Sequence, residues 1–147
     1  MQILNFRRHA VALALLAAVA VAHASPDLAA PDAAAAVAAG KITLIDIRTP
    51  PEWKETGIAK GATLINMLHP QGAQGFTNAL LERVKGDKNA PIALICRTGN
   101  RTTQVQRYLQ SVGFTQVYNV KEGMVGSGAG PGWLKRGLAV EACTTQC

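Results

Sequence analysis

Four short apolar runs rich in β-branched residues, at 42–48 (ITLIDIR), 62–67 (ATLINM), 91–96 (PIALIC) and 116–120 (QVYNV), are separated by segments whose apolar residues recur at helical spacing. No other feature of the chain restricts its fold as much. Runs this short, bounded by charge, proline or glycine, read as buried strands. Between them Phe76, Leu80, Leu81 and Val84 fall on one face of a helix that Gly86 stops, and Val105, Leu109 and Val112 on one face of a second that Gly113 stops. Strands that alternate with helices need crossover connections, which give a parallel sheet covered on both faces, an α/β fold. Ligands of such sheets sit at the carboxyl ends of the strands. Asp46 and Arg48 lie at one of these ends and Cys96 at another.

The amino-terminal part has a different character. Arg7 and Arg8 precede an apolar run at 10–22, and Ala22, His23 and Ala24 stand ahead of Ser25 and Pro26. This is the layout of a secretory signal peptide, and the run of 13 residues is shorter than the roughly 20 that a membrane-crossing helix needs. The expectation is therefore a removable segment 1–24, no permanent membrane anchor, and export, which in a bacterium leads to the periplasm. The remaining 123 residues are enough for one domain that buries roughly two thirds of its surface without cross-links. Residues 25–40 are alanine-rich and predict a short helix with Asp32 near its start and Gly40 as its stop. TPPEW at 49–53 predicts a turn into a brief helix, since proline is accommodated in a first helical turn. The formal charge of +6 includes Arg7 and Arg8, and the other lysines and arginines are spread along the chain. That excludes a nucleic-acid platform and favours small anions at a local arginine cluster. The glycine-rich stretch after Gly123 carries no P-loop lysine, which excludes a Walker-type phosphate cradle.

An exported chain meets conditions that permit disulfides, and three cysteines leave one over. Cys143 and Cys147, close together in a polar tail at 142–147, are the obvious pair. A tail disulfide is the expectation; thiol exchange with Cys96 and metal binding are the alternatives, and a C-x3-C pair without a nearby histidine is poor ground for zinc. Cys96 is followed at once by Arg97, Thr98, Gly99, Asn100 and Arg101. The thiolate is the reactive form of cysteine, favoured by helix N-termini and by cations. With a helix beginning near Thr102, backbone N–H groups of the loop can curl round the sulfur, Gly99 permitting the tight turn and the two arginines adding positive charge. A buried cysteine acting only as a small hydrophobe would need none of these neighbours. A Cys-His mechanism would need a base, but His9 and His23 leave with the signal, and His69 in LHPQG reads as a surface loop residue. Tyrosine-phosphatase and arsenate-reductase loops also set a cysteine and an arginine round an oxyanion, with C-x5-R spacing. Here the spacing is C-x4-R, with Thr102 where their arginine stands, so the cradle is tighter.

The stretches LIDIRTPPEW, GIAKGATLINM, ICRTGNRTTQVQRYLQSVGFTQVYNVKEGM and the later GW together resemble a single-domain rhodanese, a thiosulfate sulfurtransferase. The resemblance covers roughly 41–141, nearly a whole domain. Its marks are Asp46 and Arg48, the segment 57–62 before the second strand, the six-residue loop 96–101, and GFTQVYNVKEGM ahead of the family's last helix. The chain departs from the pattern in two places: Gly57-Ile58 stands where the family has Gly-His-Ile, and Gly123-Met124 where it has a glycine pair. The resemblance implies a three-layer domain whose central, mainly parallel sheet of about five strands is flanked by helices. It implies that Cys96 attacks the outer sulfur of thiosulfate and passes it from a persulfide to cyanide or a thiol; the expectation is a monomeric or weakly associated domain with no metal or cofactor. A non-turnover sulfur carrier or partner-binding module is the alternative. On this reading residues 97–101 bind the anion, through backbone amides at Thr98, Gly99 and Asn100. Arg97 and Arg101 either both bind it or one braces the loop through a carboxylate, while Asp46 and Arg48 shape the wall beside it.

Overall fold

The computed structural model describes residues 27–147. The expected signal segment therefore lies outside the described residues. In chain order the elements are α1 (Ala30–Ala38), β1 (Thr43–Asp46), α2 (Pro50–Thr56), β2 (Ile58–Ala59), β3 (Thr63–Leu64), α3 (Gly72–Arg83), β4 (Ile92–Ile95), α4 (Asn100–Ser111), β5 (Val117–Asn119) and β6 (Val140–Glu141). Four strands form a parallel sheet in the order β3-β1-β4-β5. Asp27 makes one further parallel bridge to Asn119, with the Leu28 N–H donating to the Asn119 carbonyl at 2.9 Å, so a single rung stands where a fifth strand would add to the free edge of β5. β2 and β6 pair apart from this sheet as a two-residue antiparallel ladder. None of the helices in the described region is long and apolar enough to cross a membrane.

Side chains alternate across the strands, and the alternation sorts the core into two layers. Ile45, Ile47, Ile92 and Leu94 pack with Phe76, Leu80 and Val84 of α3 and with Val105 and Leu109 of α4. Leu44, Ala93 and Ile95 face the other way, toward Ala30 and Ala33 of α1 and toward Met124 and Trp133 of the long carboxyl-terminal loop. The helical spacings in the sequence thus match buried faces, and the central strands are covered on both sides. By the same alternation Cys96, next after Ile95, belongs with Ile92 and Leu94 in the layer of α3 and α4.

The inner sheet is almost wholly apolar until its carboxyl end. There Asp46 and Cys96 arrive side by side, because Asp46 is in register with Ile95 and the Ile47 N–H donates to the Ile95 carbonyl.

Candidate active site

Cys96 directly follows β4, and α4 begins four residues later, at Asn100, two residues earlier than the sequence suggests. The difference comes from Gly99, which takes a left-handed conformation (φ +85°) directly ahead of the helix and so turns the chain without a longer connection. This turn aims the Gly99 N–H at the sulfur, with N···Sγ 3.2 Å. A Cβ at this position would run into the backbone carbonyl of Lys121, so the close approach itself requires glycine.

Thr102 is fully buried beside the sulfur, its Oγ1 3.6 Å from Cys96 Sγ. The same hydroxyl donates to the Gly99 carbonyl at 2.9 Å. That carbonyl also accepts from the Thr103 hydroxyl at 2.8 Å and the Thr103 N–H at 3.2 Å. Because Gly99 O has these other donors, the Thr102 hydroxyl can rotate toward a sulfur anion without leaving a carbonyl unpaired. Together with Gly99 N–H it supplies two donors where a thiolate would form. Cys96 itself is only 1% exposed.

The two loop arginines differ. Arg101 forms a two-pronged pair with Glu52 of α2: Nη1 donates to Oε2 at 2.8 Å and Nη2 to Oε1. The guanidinium is the largest influence on the Glu52 carboxyl; burial opposes it, the N–H and hydroxyl of Thr49 assist it, and the result is a pKa held down to about 2 from an ordinary 4.5. Glu52 in turn raises Arg101 against the opposing effect of burial. Arg97 meets Glu55 at 3.5 Å, with both side chains well exposed (43% and 62%). A loose exposed pair of this kind holds its partners weakly, which leaves Arg97 free to turn to an incoming anion.

Glu52 is fixed by the way α2 starts. Thr49 and Glu52 form a capping box, in which Glu52 Oε2 accepts the Thr49 N–H at 3.1 Å and the Thr49 hydroxyl at 2.9 Å, and two prolines open the helix. The far end of α2 is held by Arg48, which is wholly buried with Asp46. Arg48 Nε donates to both Asp46 oxygens at 3.0 and 3.1 Å, Nη2 to Asp46 Oδ2 at 2.7 Å and to the Gly57 carbonyl at 2.9 Å, and Nη1 to the Glu52 carbonyl at 3.2 Å and Thr56 Oγ1 at 2.7 Å. Asp46 and Arg48 therefore do not reach the sulfur. They seat the helix that seats Arg101.

On the opposite side the segment after β5 closes over the loop. Met124 N–H donates to the Cys96 carbonyl at 2.9 Å and Val125 N–H to the Arg97 carbonyl at 3.0 Å. Gly123, at φ +65°, lies so near the Arg97 carbonyl that a Cβ would overlap it. Glu122, 2% exposed, anchors this segment by accepting from Ala30 N–H at 2.7 Å, Gly132 N–H at 2.8 Å and Arg136 Nε at 2.7 Å. Burial raises the Glu122 pKa, but the Arg136 guanidinium and these two amides outweigh it and leave the carboxyl below its ordinary value.

A loop that cups a cysteine sulfur at the carboxyl end of a central parallel strand is matched in sequence as well. The family model described as a rhodanese-like domain matches residues 29–128. The chain belongs to the rhodanese-like family. Membership supports a sulfurtransferase or sulfur-carrier family. An uncharacterized protein of Rickettsia prowazekii is 27% identical over 97 residues, 65% of this chain and 79% of that protein. The thiosulfate sulfurtransferase GlpE of Tolumonas auensis is 30% identical over 94 residues, 64% of this chain and 79% of that protein. Among solved structures, the polysulfide-sulfur transferase homodimer of Wolinella succinogenes is 25% identical with a TM-score of 0.60, covering 84% of this chain and 83% of that one.

In this rhodanese-like domain Thr98, Gly99 and Asn100 also line a cavity of about 500 Å³ bounded by Thr103, Lys121, Asp27 and the 127–129 turn, which Cys96 does not line. Lys121 and Asp27 pair across it at 3.2 Å. His69 accepts the Gln71 N–H on Nδ1 at 3.1 Å in the turn before α3 and makes no hydrogen bond to Cys96. Cys143 and Cys147 are joined as a disulfide, and Cys96 is a free thiol. Two residues given no role from the sequence prove central to the geometry. Glu52 was visible in principle as the fourth residue of a T-x-x-E capping box, and Thr102 as the hydroxyl residue three positions after Gly99, in the first turn of α4.

Proposed function

We propose that the protein is a sulfurtransferase that moves the outer sulfur of thiosulfate to cyanide or a thiol through a persulfide on Cys96. The observation that carries this reading is the loop 96–102, a cysteine sulfur facing the Gly99 N–H and the buried Thr102 hydroxyl, with the loosely paired Arg97 at the rim. The Cys96 thiolate attacks the outer sulfur of thiosulfate, the S–S bond breaks, and sulfite leaves with the electron pair. A nucleophilic acceptor then attacks the outer persulfide sulfur, and Cys96 leaves as thiolate. Donors aimed at the sulfur and Arg97 at the rim match the negative charge that both thiosulfate and the persulfide carry. The depth of Cys96 supports a small donor over a bulky protein partner. Polysulfide offers the same kind of outer sulfur, and the likeness to a polysulfide-sulfur transferase makes it the second donor to assay.

Purified protein is expected to form thiocyanate from thiosulfate and cyanide, and Cys96→Ser to lose that activity; undiminished turnover in the variant removes Cys96 from the reaction. A gain of about 32 Da on Cys96 with thiosulfate alone marks the persulfide and separates an enzyme from a carrier that only a partner protein can load. Export, supported by the layout of residues 1–24, and a monomeric state are part of the same reading. N-terminal sequencing of protein recovered from the periplasm, expected to begin at Ser25, and sedimentation of that material test it.

A further inference from the structure

The Cys143–Cys147 disulfide spans Cα atoms 5.9 Å apart and closes a ring of only five residues at the end of the chain. It ties no two elements of the fold together, so its constraint on the unfolded chain is small and its structural value slight. Its location is more informative. Glu141, the last residue of β6, is in register with Ile58, and Gly57 lies so close to Glu141 that a Cβ on it would stand 2.8 Å from the Glu141 carbonyl oxygen. Two residues before Gly57, Glu55 touches Arg97, the neighbour of Cys96. The tail therefore leaves the domain beside the carboxyl end of α2, two residues from the glutamate that meets Arg97.

Beyond Glu141 residues 142–147 belong to no helix or strand, and Thr144, Thr145 and Gln146 are exposed. Once the disulfide is reduced, a six-residue segment anchored at Glu141 can carry Cys147 at most about 20 Å, whereas Cys143, two residues out, sweeps only about 7 Å. Resting on the reading that Cys96 carries a persulfide, we propose that the reduced tail is a built-in acceptor: Cys147 takes the outer sulfur from Cys96, and Cys143 then expels it as hydrosulfide.

The two steps balance. The Cys147 thiolate attacks the outer sulfur of the Cys96 persulfide, that S–S bond breaks, and Cys96 leaves as thiolate. The Cys143 thiolate then attacks Cys147 Sγ, forming the Cys143–Cys147 disulfide, and the outer sulfur departs as hydrosulfide. Two tail thiols lose two electrons and the transferred sulfur gains them. An external dithiol reduces the tail and resets the cycle. With the tail oxidised, the same domain holds its persulfide for cyanide or an external thiol, so the redox state of the tail selects the fate of the sulfur.

The test loads reduced full-length protein with thiosulfate, removes donor and reductant, and follows sulfide release and the mass of each cysteine peptide. Wild type is expected to release about one sulfide per chain while the tail peptide loses about 2 Da. Cys143→Ser is expected to stall with the added sulfur on Cys147, and Cys147→Ser with it on Cys96. Persistence of the Cys96 persulfide beside two reduced tail thiols in wild type overturns the proposal alone, as does sulfide release that survives Cys147→Ser. A Cys96 that never gains the sulfur overturns the reading of Cys96 and this proposal with it.

Discussion

The sulfur loop stands between two walls that hold it by different physics. On the side of α2 the hold is made by charged side chains, running from buried Asp46 and Arg48 through the helix to Glu52 and Arg101. On the side of residues 121–125 it is made by main chain, with two N–H donors on the loop carbonyls and glycine at both points of closest approach. A charged wall can be weakened by a proton or by a single deleted group and still keep its shape. A backbone wall tolerates no added atom.

The largest effect is expected from the charged wall at its root. Asp46→Asn leaves Arg48 buried without its counter-charge, a loss of about 3–5 kcal/mol that urea unfolding would measure; a loss under 1 kcal/mol would mean that the carbonyls of Glu52 and Gly57 hold Arg48 unaided. Acid should act on the same wall one step out. Glu52 titrates near 2 when folded against 4.5 ordinarily, so its contribution is complete above about pH 4.5 and disappears as the pH falls toward about 2. The amount is on the order of 3 kcal/mol at most, and Glu52→Gln should flatten that part of the stability curve.

Activity should respond most to the backbone wall. Gly99→Ala forces the loop away from Lys121 and is expected to lower sulfur transfer about 100-fold, the scale of an ångström's misplacement of a reacting group. Gly128→Ala, which meets nothing within 4 Å, is the matched control. Equal rates in the two variants would dissolve the distinction between the walls. Thr102→Val, which keeps the volume and removes the switchable hydroxyl, should slow persulfide formation roughly 10-fold in stopped-flow loading, as befits one hydrogen bond to a charged sulfur.

The smallest effect is expected from Arg97, the loop cation that neither wall holds firmly. Arg97→Ala should raise the KM for thiosulfate several-fold and change stability by less than about 0.5 kcal/mol. A stability loss as large as that of Arg101→Ala would place Arg97 in the charged wall instead.

The fold was legible where pattern exceeds chance. Runs such as PIALIC and the spacing of Val105, Leu109 and Val112 carry their own period, and burial followed it. β2 and β6 have two residues each, too few for any alternation to appear, and their pairing joins segments about eighty residues apart. The loop 96–101 was equally plain from its composition, but the unlike duties of its two arginines were not. Which of them is braced depends on Glu52, 49 residues upstream of Arg101, and only the folded chain brings α2 beside α4. Local chemistry is written locally, whereas the choice of partner is written in the topology.

The contact between Glu122 and the first N–H of α1 has a consequence in time. Ala30 and Glu122 are 92 residues apart, and Glu122 also gathers Gly132 and Arg136. During synthesis α1 emerges early and can meet Leu44 of β1, but the acceptor for its first N–H arrives only when nearly the whole domain has followed it. The contact that joins the beginning of the domain to its end is therefore among the last to form.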